Sequence, residues 1–262
     1  NRSITECYSV ALPADRQGEV FHRYILGVYD LYERLTSEFP EVLFESCSSG
    51  GGRFDPGMLY YAPQGWTSDD SDAIERLKIQ YGTSLCYPIS SMGSHVSVIP
   101  NHQVFRKTPL HTRANVAYFG TFGYELDLNS LKEEEIAEVK EQIIFMKKYR
   151  KLFQFGDFYR LKSPFEGNET IWMVVSEDKK TAIVGYYRTL NGVNQAYSRI
   201  KLQGLDPDML YENILNKTEN YGDELMNFGL ITTDVTAGEV PGDATPCTDF
   251  ESRIYILKAK EK

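Results

Sequence analysis

Apolar residues recur at Val20, Tyr24, Val28, Leu31 and Leu35 in the run EVFHRYILGVYDLYERLTSE. This is the spacing of one helix face, and it predicts a helix over 19–38 that Pro40 stops. Val42-Leu43-Phe44 is a short continuous apolar run and predicts a buried strand. Residues 54–61 read as a short helix, and Thr67 and Ser68 sit near the next strand end. In DSDAIERLKIQYGT, residues 70–83, acidic side chains gather in the first turn of a helix, where they complement its dipole, and Gly82 fits its C-terminus. SMGSHVSV over 91–98 predicts a strand, 112–118 a short helix, and 119–126 a strand or loop. The clearest stripe, Ile136, Val139, Ile143 and Met146, predicts a helix over 130–151 opened by a capping box of Ser130 and Glu133.

The pattern changes after about residue 155. FYRLKSP, TIWMVVSEDKKTAIVGYYRTL, SRIKLQGL and SRIYILKA read as strands, with a hairpin turn at Glu177-Asp178. The chain therefore divides into an alternating β/α region over 1–155 and an antiparallel β domain over 156–262. Part of a barrel followed by a β-sandwich, an α/β plus all-β fold, satisfies that order.

Composition narrows the function classes. The net charge of −9, with no Lys/Arg-rich run, argues against a nucleic-acid partner. No apolar stretch is long enough to span a bilayer, so no membrane partner is expected. Cys7, Cys47, Cys86 and Cys247 are far apart and show no CxxC spacing, which suits free thiols in the cytoplasm. Aromatic residues make up 13% of the chain, a level common to sugar-binding surfaces and to well-packed cores.

Two stretches carry candidate chemistry. GWTSDDSD lies where a strand gives way to a helix, the junction that faces the catalytic end of a parallel β/α fold. Asp69, Asp70 and Asp72 cannot all cap that helix. In one reading Asp70 or Ser71 caps it and the others are solvated. In the other, one aspartate is a general acid/base or a metal ligand, and an aspartate desolvated beside Trp66 has the raised pKa that a proton donor needs. FESCSSGGGRFDPG holds glycines at 50, 51 and 52, which permit positive φ and close backbone approach. It lacks both phosphate-loop patterns, and no cysteine-protease signature surrounds Cys47. His95 and His102 are too weakly patterned for zinc, so no metal is expected, and both histidines read as structural or as supports behind a functional residue. The acidic run after Lys132 reads as a solvated helix start.

FESCSSGGGRFDPGMLYYAPQGWTSDDSDAIERLKIQYGTSLCYP closely resembles bacterial α-galactosidases of glycoside hydrolase family 36. MGSHVSVIPNHQ and TRANVAYFGTFGYELDL are similar to that family too. The resemblance runs in order along the chain, strongest over 40–127 and weak in the β region. It implies the second half of a (β/α)8 catalytic barrel followed by an antiparallel β domain, and a retaining enzyme that acts through two aspartates without metal or cofactor. The acid/base maps to Asp69. Trp66, Cys47 and Gly50 line the sugar subsite, Asn1 lies close to the sugar, and Arg53 orients the loop or the acid. Asp70 stands where relatives carry Asn, and Asp72 caps the following helix.

The family's nucleophile lies in a Lys-Trp-Asp-Met-Asn-Arg motif, whose last two residues match Asn1-Arg2. The resemblance therefore places the nucleophile two residues before Asn1. It implies that these 262 residues need the remaining N-terminal part of the enzyme for activity. The implied substrates are terminal α-galactosides such as melibiose and raffinose, and the implied assembly is a homo-oligomer, with a tetramer as one size. A galactosyl-transferring relative, an α-N-acetylgalactosaminidase, and a non-catalytic sugar-binding fragment are the alternatives.

Overall fold

The computed structural model describes residues 8–192, 198–232 and 249–260. They form two compact units, one of residues up to 70 together with 91–93, the other of 71–90 and 94 onward.

In the first unit, α1 (Glu19–Glu38) ends as Phe39 donates its N–H to Leu35 O at 2.9 Å. Tyr29 and Tyr32 of α1 pack on Tyr61 of α3 (Pro56–Tyr61), with ring centroids 6.0 and 6.2 Å apart, and Tyr32 meets Phe44 edge-on. This turns the packed face away from Leu31, which is exposed, while Val20, Tyr24, Val28 and Leu35 are half-buried. The strand expected at Val42-Leu43-Phe44 begins later. β1 is Glu45–Ser46, and both Val42 and Leu43 are exposed. The ladder of β1 starts beyond that run, so Val42 and Leu43 lie outside the strand. β1 runs parallel to β2 (Gln64–Gly65), pairing Glu45 with Gln64 and Ser46 with Gly65. Gly65 in turn bridges in parallel to Met92.

The second unit starts with α4 (Ala73–Ser84), capped by Asp72, whose Oδ2 accepts from the N–H groups of Ile74 and Glu75 at 3.0 and 3.1 Å. Gly82 lies inside its last turn rather than at a left-handed cap; Leu85 donates back to Gly82 O. β3 (Gly93–Ser97) pairs with β4 (Thr121–Glu125), and α5 (Leu110–Ala117) lies between them in sequence. α6 (Glu133–Phe155) opens differently from expectation. Glu135 reaches back to accept the Lys132 N–H at 3.0 Å, and the Ser130 hydroxyl is spent on Asp127 O at 2.7 Å in the preceding short turn. Its buried stripe is Val139, Gln142, Met146, Tyr149 and Phe153; Ile136 and Ile143 flank it half-buried.

The β region is built on a six-stranded sheet of order β10-β9-β12-β7-β6-β5. Its centre is β6 (Glu169–Val175), β7 (Thr181–Arg188) and β12 (Glu251–Ala259), all antiparallel. The edges are β5 (Asp157–Lys162) on one side and β9 (Leu210–Asn213) with β10 (Glu219–Tyr221) on the other. β6 and β7 read as continuous apolar runs because both faces are covered. Ile171, Met173, Val175, Val184 and Tyr186 pack with Ile200, Leu202, Leu225 and Leu230. These last come from β8 (Arg199–Ile200), its partner β11 (Leu230–Ile231), α7 (Gly222–Asn227) and the intervening loop. On the opposite face Trp172 meets Phe119 and Phe158 at centroid distances of 5.5 and 6.2 Å, and Phe153 of α6 joins Phe119.

Candidate active site

The candidate residues Cys47, Gly50, Arg53, Trp66 and Asp69 all lie in the first unit. Asn1 and Cys7, like Cys247, lie outside the described residues.

Two loops meet at the C-terminal ends of the parallel strands β1 and β2. The loop after β1 contains α2 (Ser48–Gly51), a single turn whose four residues have positive φ: 68° at Ser48, 54° at Ser49, 75° at Gly50 and 95° at Gly51. Gly51 donates to Cys47 O at 3.2 Å and Gly52 to Ser48 O at 3.0 Å. This is one turn of left-handed helix. An L side chain resists that conformation by about 1–2 kcal/mol per residue, so Ser48 and Ser49 are held there by what surrounds them.

The turn lies directly against the loop after β2. A Cβ on Gly50 would come within 2.6 Å of Asp69 N and 2.9 Å of Ser68 Cα. A Cβ on Gly51 would sit 3.0 Å from Thr67 O. The sequence assigned these glycines to close approach of a sugar. Their contacts in this unit are with the Thr67–Ser68–Asp69 backbone. The base of the second loop is fixed as well: Trp66 donates its N–H to Ser46 O at 3.1 Å, and Gly65 is covered by Phe54.

Above this base, the Trp66 indole lies on Gly93, where an added Cβ would be 3.0 Å from Cε3. Asp69 itself is exposed. The expected desolvation of Asp69 against Trp66 is therefore not what these residues supply on their own, because the indole lies on Gly93 instead. Asp70 is half-buried, and its N–H donates to Ser68 Oγ at 3.1 Å. Cys47 is a half-buried free thiol at the entry to the left-handed turn. Arg53 donates from Nη1 to Tyr24 Oη at 2.9 Å, tying the glycine loop to α1. Beside it Asp55 caps α3 through Met58 N at 2.9 Å and accepts from Tyr29 Oη at 2.8 Å, which with burial pushes the Tyr29 phenol up to about 12.

His95, in the second unit, is half-buried with Nδ1 3.6 Å from Glu125 Oε2, and His102 is exposed. Among the described residues no three His, Cys, Asp or Glu side chains gather as a metal site, and no helix is long and apolar enough to cross a membrane. The sequence did not reveal that Ser48 and Ser49 adopt positive φ; only the glycines next to them hinted at a turn.

Parallel strands carrying a tryptophan and an aspartate at their C-terminal ends, followed by a large antiparallel sheet, define the class: part of a (β/α)8 barrel with an appended β domain. The chain belongs to the melibiase family, whose model matches residues 1–156, and the model of the glycosyl hydrolase family 36 C-terminal domain matches residues 169–257. It is 57% identical to alpha-galactosidase AgaA of Geobacillus stearothermophilus over 264 residues, which takes in all of this chain and 34% of that protein. It is 48% identical to alpha-galactosidase 1 of Pediococcus pentosaceus over 99% of the chain. Among solved structures, AgaA carrying an aspartate-to-asparagine substitution, in complex with raffinose, matches at TM-score 0.88 and 52% identity over 98% of this chain and 34% of that one. The alpha-galactosidase from Lactobacillus brevis matches at TM-score 0.90 and 50% identity over the same shares. The chain thus spans about a third of the length of these relatives.

Proposed function

We propose that the protein containing this chain is a retaining α-galactosidase that releases terminal α-galactosyl residues from oligosaccharides such as melibiose and raffinose. The observation that carries this reading is the position of Asp69. It ends a loop on the C-terminal end of β2, and its backbone is seated on a strained turn at the end of the neighbouring parallel strand. Carboxylates at that end of a barrel strand are where this fold does chemistry. The raffinose and stachyose complexes of AgaA variants support the oligosaccharide substrate class.

In the proposed mechanism Asp69 protonates the departing glycosidic oxygen while a second aspartate attacks the anomeric carbon. Asp69 then takes a proton from the water that releases galactose. The second carboxylate belongs, on the Asn1-Arg2 resemblance, to the preceding residues, and retaining chemistry places it about 5–5.5 Å from Asp69. Trp66, Cys47, Gly50, Arg53 and Asn1 line or support the sugar subsite in this reading. The rest of the barrel supplies the desolvation that Asp69 lacks in this chain and that keeps a donor protonated.

In this reading residues 1–155 contribute to the barrel and 156–262 form the β domain, a division supported by the melibiase match over 1–156 and the family 36 C-terminal match over 169–257. The free thiols of Cys47 and Cys86 fit a cytoplasmic location. Exposed Phe21, Leu26, Val42 and Leu43 leave apolar surface on the first unit for the remaining barrel or for further copies in a homo-oligomer such as a tetramer.

The test is Asp69→Asn in the full-length protein. Turnover of melibiose should fall about 10²–10⁴-fold, with a much smaller fall for 4-nitrophenyl α-galactoside, whose leaving group needs little protonation. An equal loss on both substrates removes the acid role.

A further inference from the structure

We infer that Gly50, seconded by Gly51, is a positioning residue for Asp69: the bare Cα of Gly50 sets where the Asp69 backbone sits, and so where its carboxyl meets the glycosidic oxygen. This rests on the reading of Asp69 as the acid/base, and adds to it a role distinct from lining the sugar. The atom nearest the missing Cβ is the amide nitrogen of Asp69 itself, at 2.6 Å, with Ser68 Cα and C next at 2.9 and 3.0 Å. All three are backbone atoms, so no rotamer change can relieve the contact.

Nor can the loop easily retreat as a whole. Its root is pinned by the Trp66 N–H on Ser46 O and by Gly65 beneath Phe54. On the other side, the turn is fixed by its own hydrogen bonds from Gly51 and Gly52. A methyl group at 50 must therefore move residues 68 and 69. Displacement of a catalytic group by about 1 Å costs on the order of 10² in rate.

Positive φ alone does not explain the glycine. Asn tolerates φ near +75° better than Ala does, yet it carries the same Cβ. If only backbone conformation mattered, Gly50→Asn would be the milder change. If the contact with Asp69 matters, the two substitutions are equally harmful. Gly51 is the graded companion, because its Cβ would meet Thr67 O at 3.0 Å, a contact that a few tenths of an ångström relieves.

The experiment compares Gly50→Ala, Gly50→Asn, Gly51→Ala, Gly82→Ala and Asp69→Asn in the full-length protein, on melibiose and on 4-nitrophenyl α-galactoside. For both Gly50 variants, kcat on melibiose should fall about 10²-fold, and kcat on the nitrophenyl substrate about ten-fold less, with KM little changed. Gly51→Ala should show the same leaving-group bias more weakly. Gly82→Ala, at an open helical position, should stay within about two-fold on both substrates.

Equal losses on the two substrates, or an effect confined to KM as a purely sugar-lining residue would give, overturn the proposal; so does a Gly50→Asn variant near full activity. Should the Gly50 variants fail to fold, the same substrate ratio in Gly51→Ala decides. If Asp69→Asn turns over melibiose normally, the acid/base reading itself falls. If Asp69→Asn shows the bias and the glycine variants do not, only the positioning role is lost.

Discussion

Arg106 closes over the buried carboxylate of Asp72, with Nη1 on Oδ2 of Asp72 and Nη2 3.4 Å from Glu75 Oε1. The same Oδ2 already accepts the two N–H groups that begin α4. One carboxylate thus caps a helix and anchors the segment that follows β3. Removing Arg106 takes one cationic partner from a carboxylate that is 1% exposed. We expect Arg106→Ala to destabilise the protein by about 2 kcal/mol. Asp72→Asn, which keeps a capping oxygen, should cost less than Asp72→Ala. Urea unfolding of the three variants gives the ranking, and an Arg106→Ala midpoint equal to wild type contradicts it.

Tyr187 ties the sheet to α5. Its hydroxyl donates to Asn115 O at 2.6 Å and accepts from Trp172 Nε1 at 2.9 Å, with the ring 1% exposed. Burial pushes the phenol well above its ordinary value. Tyr187→Phe leaves a buried indole N–H without this partner and takes a donor from the part-buried Asn115 carbonyl, at a cost of about 2 kcal/mol. Calorimetry should show a lowered Tm with the fold intact.

Acid should weaken the second unit through two carboxylates. Burial opposes the charge on Glu169, but hydrogen bonds from Lys162 and Tyr186 and the charges of Lys162 and Arg188 outweigh it, so its pKa is lowered. Glu251 is likewise lowered, its burial outweighed by His111, Arg253 and the Ser252 N–H. A carboxyl with a lower pKa folded than unfolded stabilises above its unfolded value, near 4.5, and that contribution fades as the pH falls through the folded value. The urea midpoint should therefore drop between about pH 5 and pH 3, and a Glu169→Gln, Glu251→Gln double variant should drop less steeply.

At the alkaline end the first unit has its own marker. The hydrogen bond to Asp55, then burial, raise the Tyr29 phenol from 10.0 to about 12. A raised group contributes its full stabilisation below the unfolded value and loses it as the pH climbs through the folded one. Asp55→Asn should bring that phenol down, seen by ultraviolet titration against a Tyr29→Phe control. No change in the titration curve would mean that the Tyr29–Asp55 bond does not hold the proton.

Elements with long periodic patterns were legible. The helix at 19–38 was found with its bounds, and the hairpin at Glu177-Asp178 lies between β6 and β7. Of the short ones, the helices read over 54–61 and 112–118 and the strand read over 91–98 fall where α3, α5 and β3 lie, while others were not legible. β9, β10 and α7 depend on pairing and packing partners far along the chain, which no local pattern encodes. Ser130-x-x-Glu133 has the letters of a capping box, but Asp127 had already bent the chain into a short turn and moved the helix start. At the candidate site, motif resemblance singled out the glycines and Asp69. It could not show that two serines are left-handed, nor that Gly50 touches Asp69, because both follow from tertiary packing.

With Trp172 and Phe158 on one side and Leu202 and Leu230 on the other, the central strands β6 and β7 have no face of their own to show to water. Severing the chain near Gly156 would strip the aromatic side bare, so the β portion released in that way should clump rather than persist as a well-behaved module. The place where two sequence families abut is, mechanically, the middle of one solid.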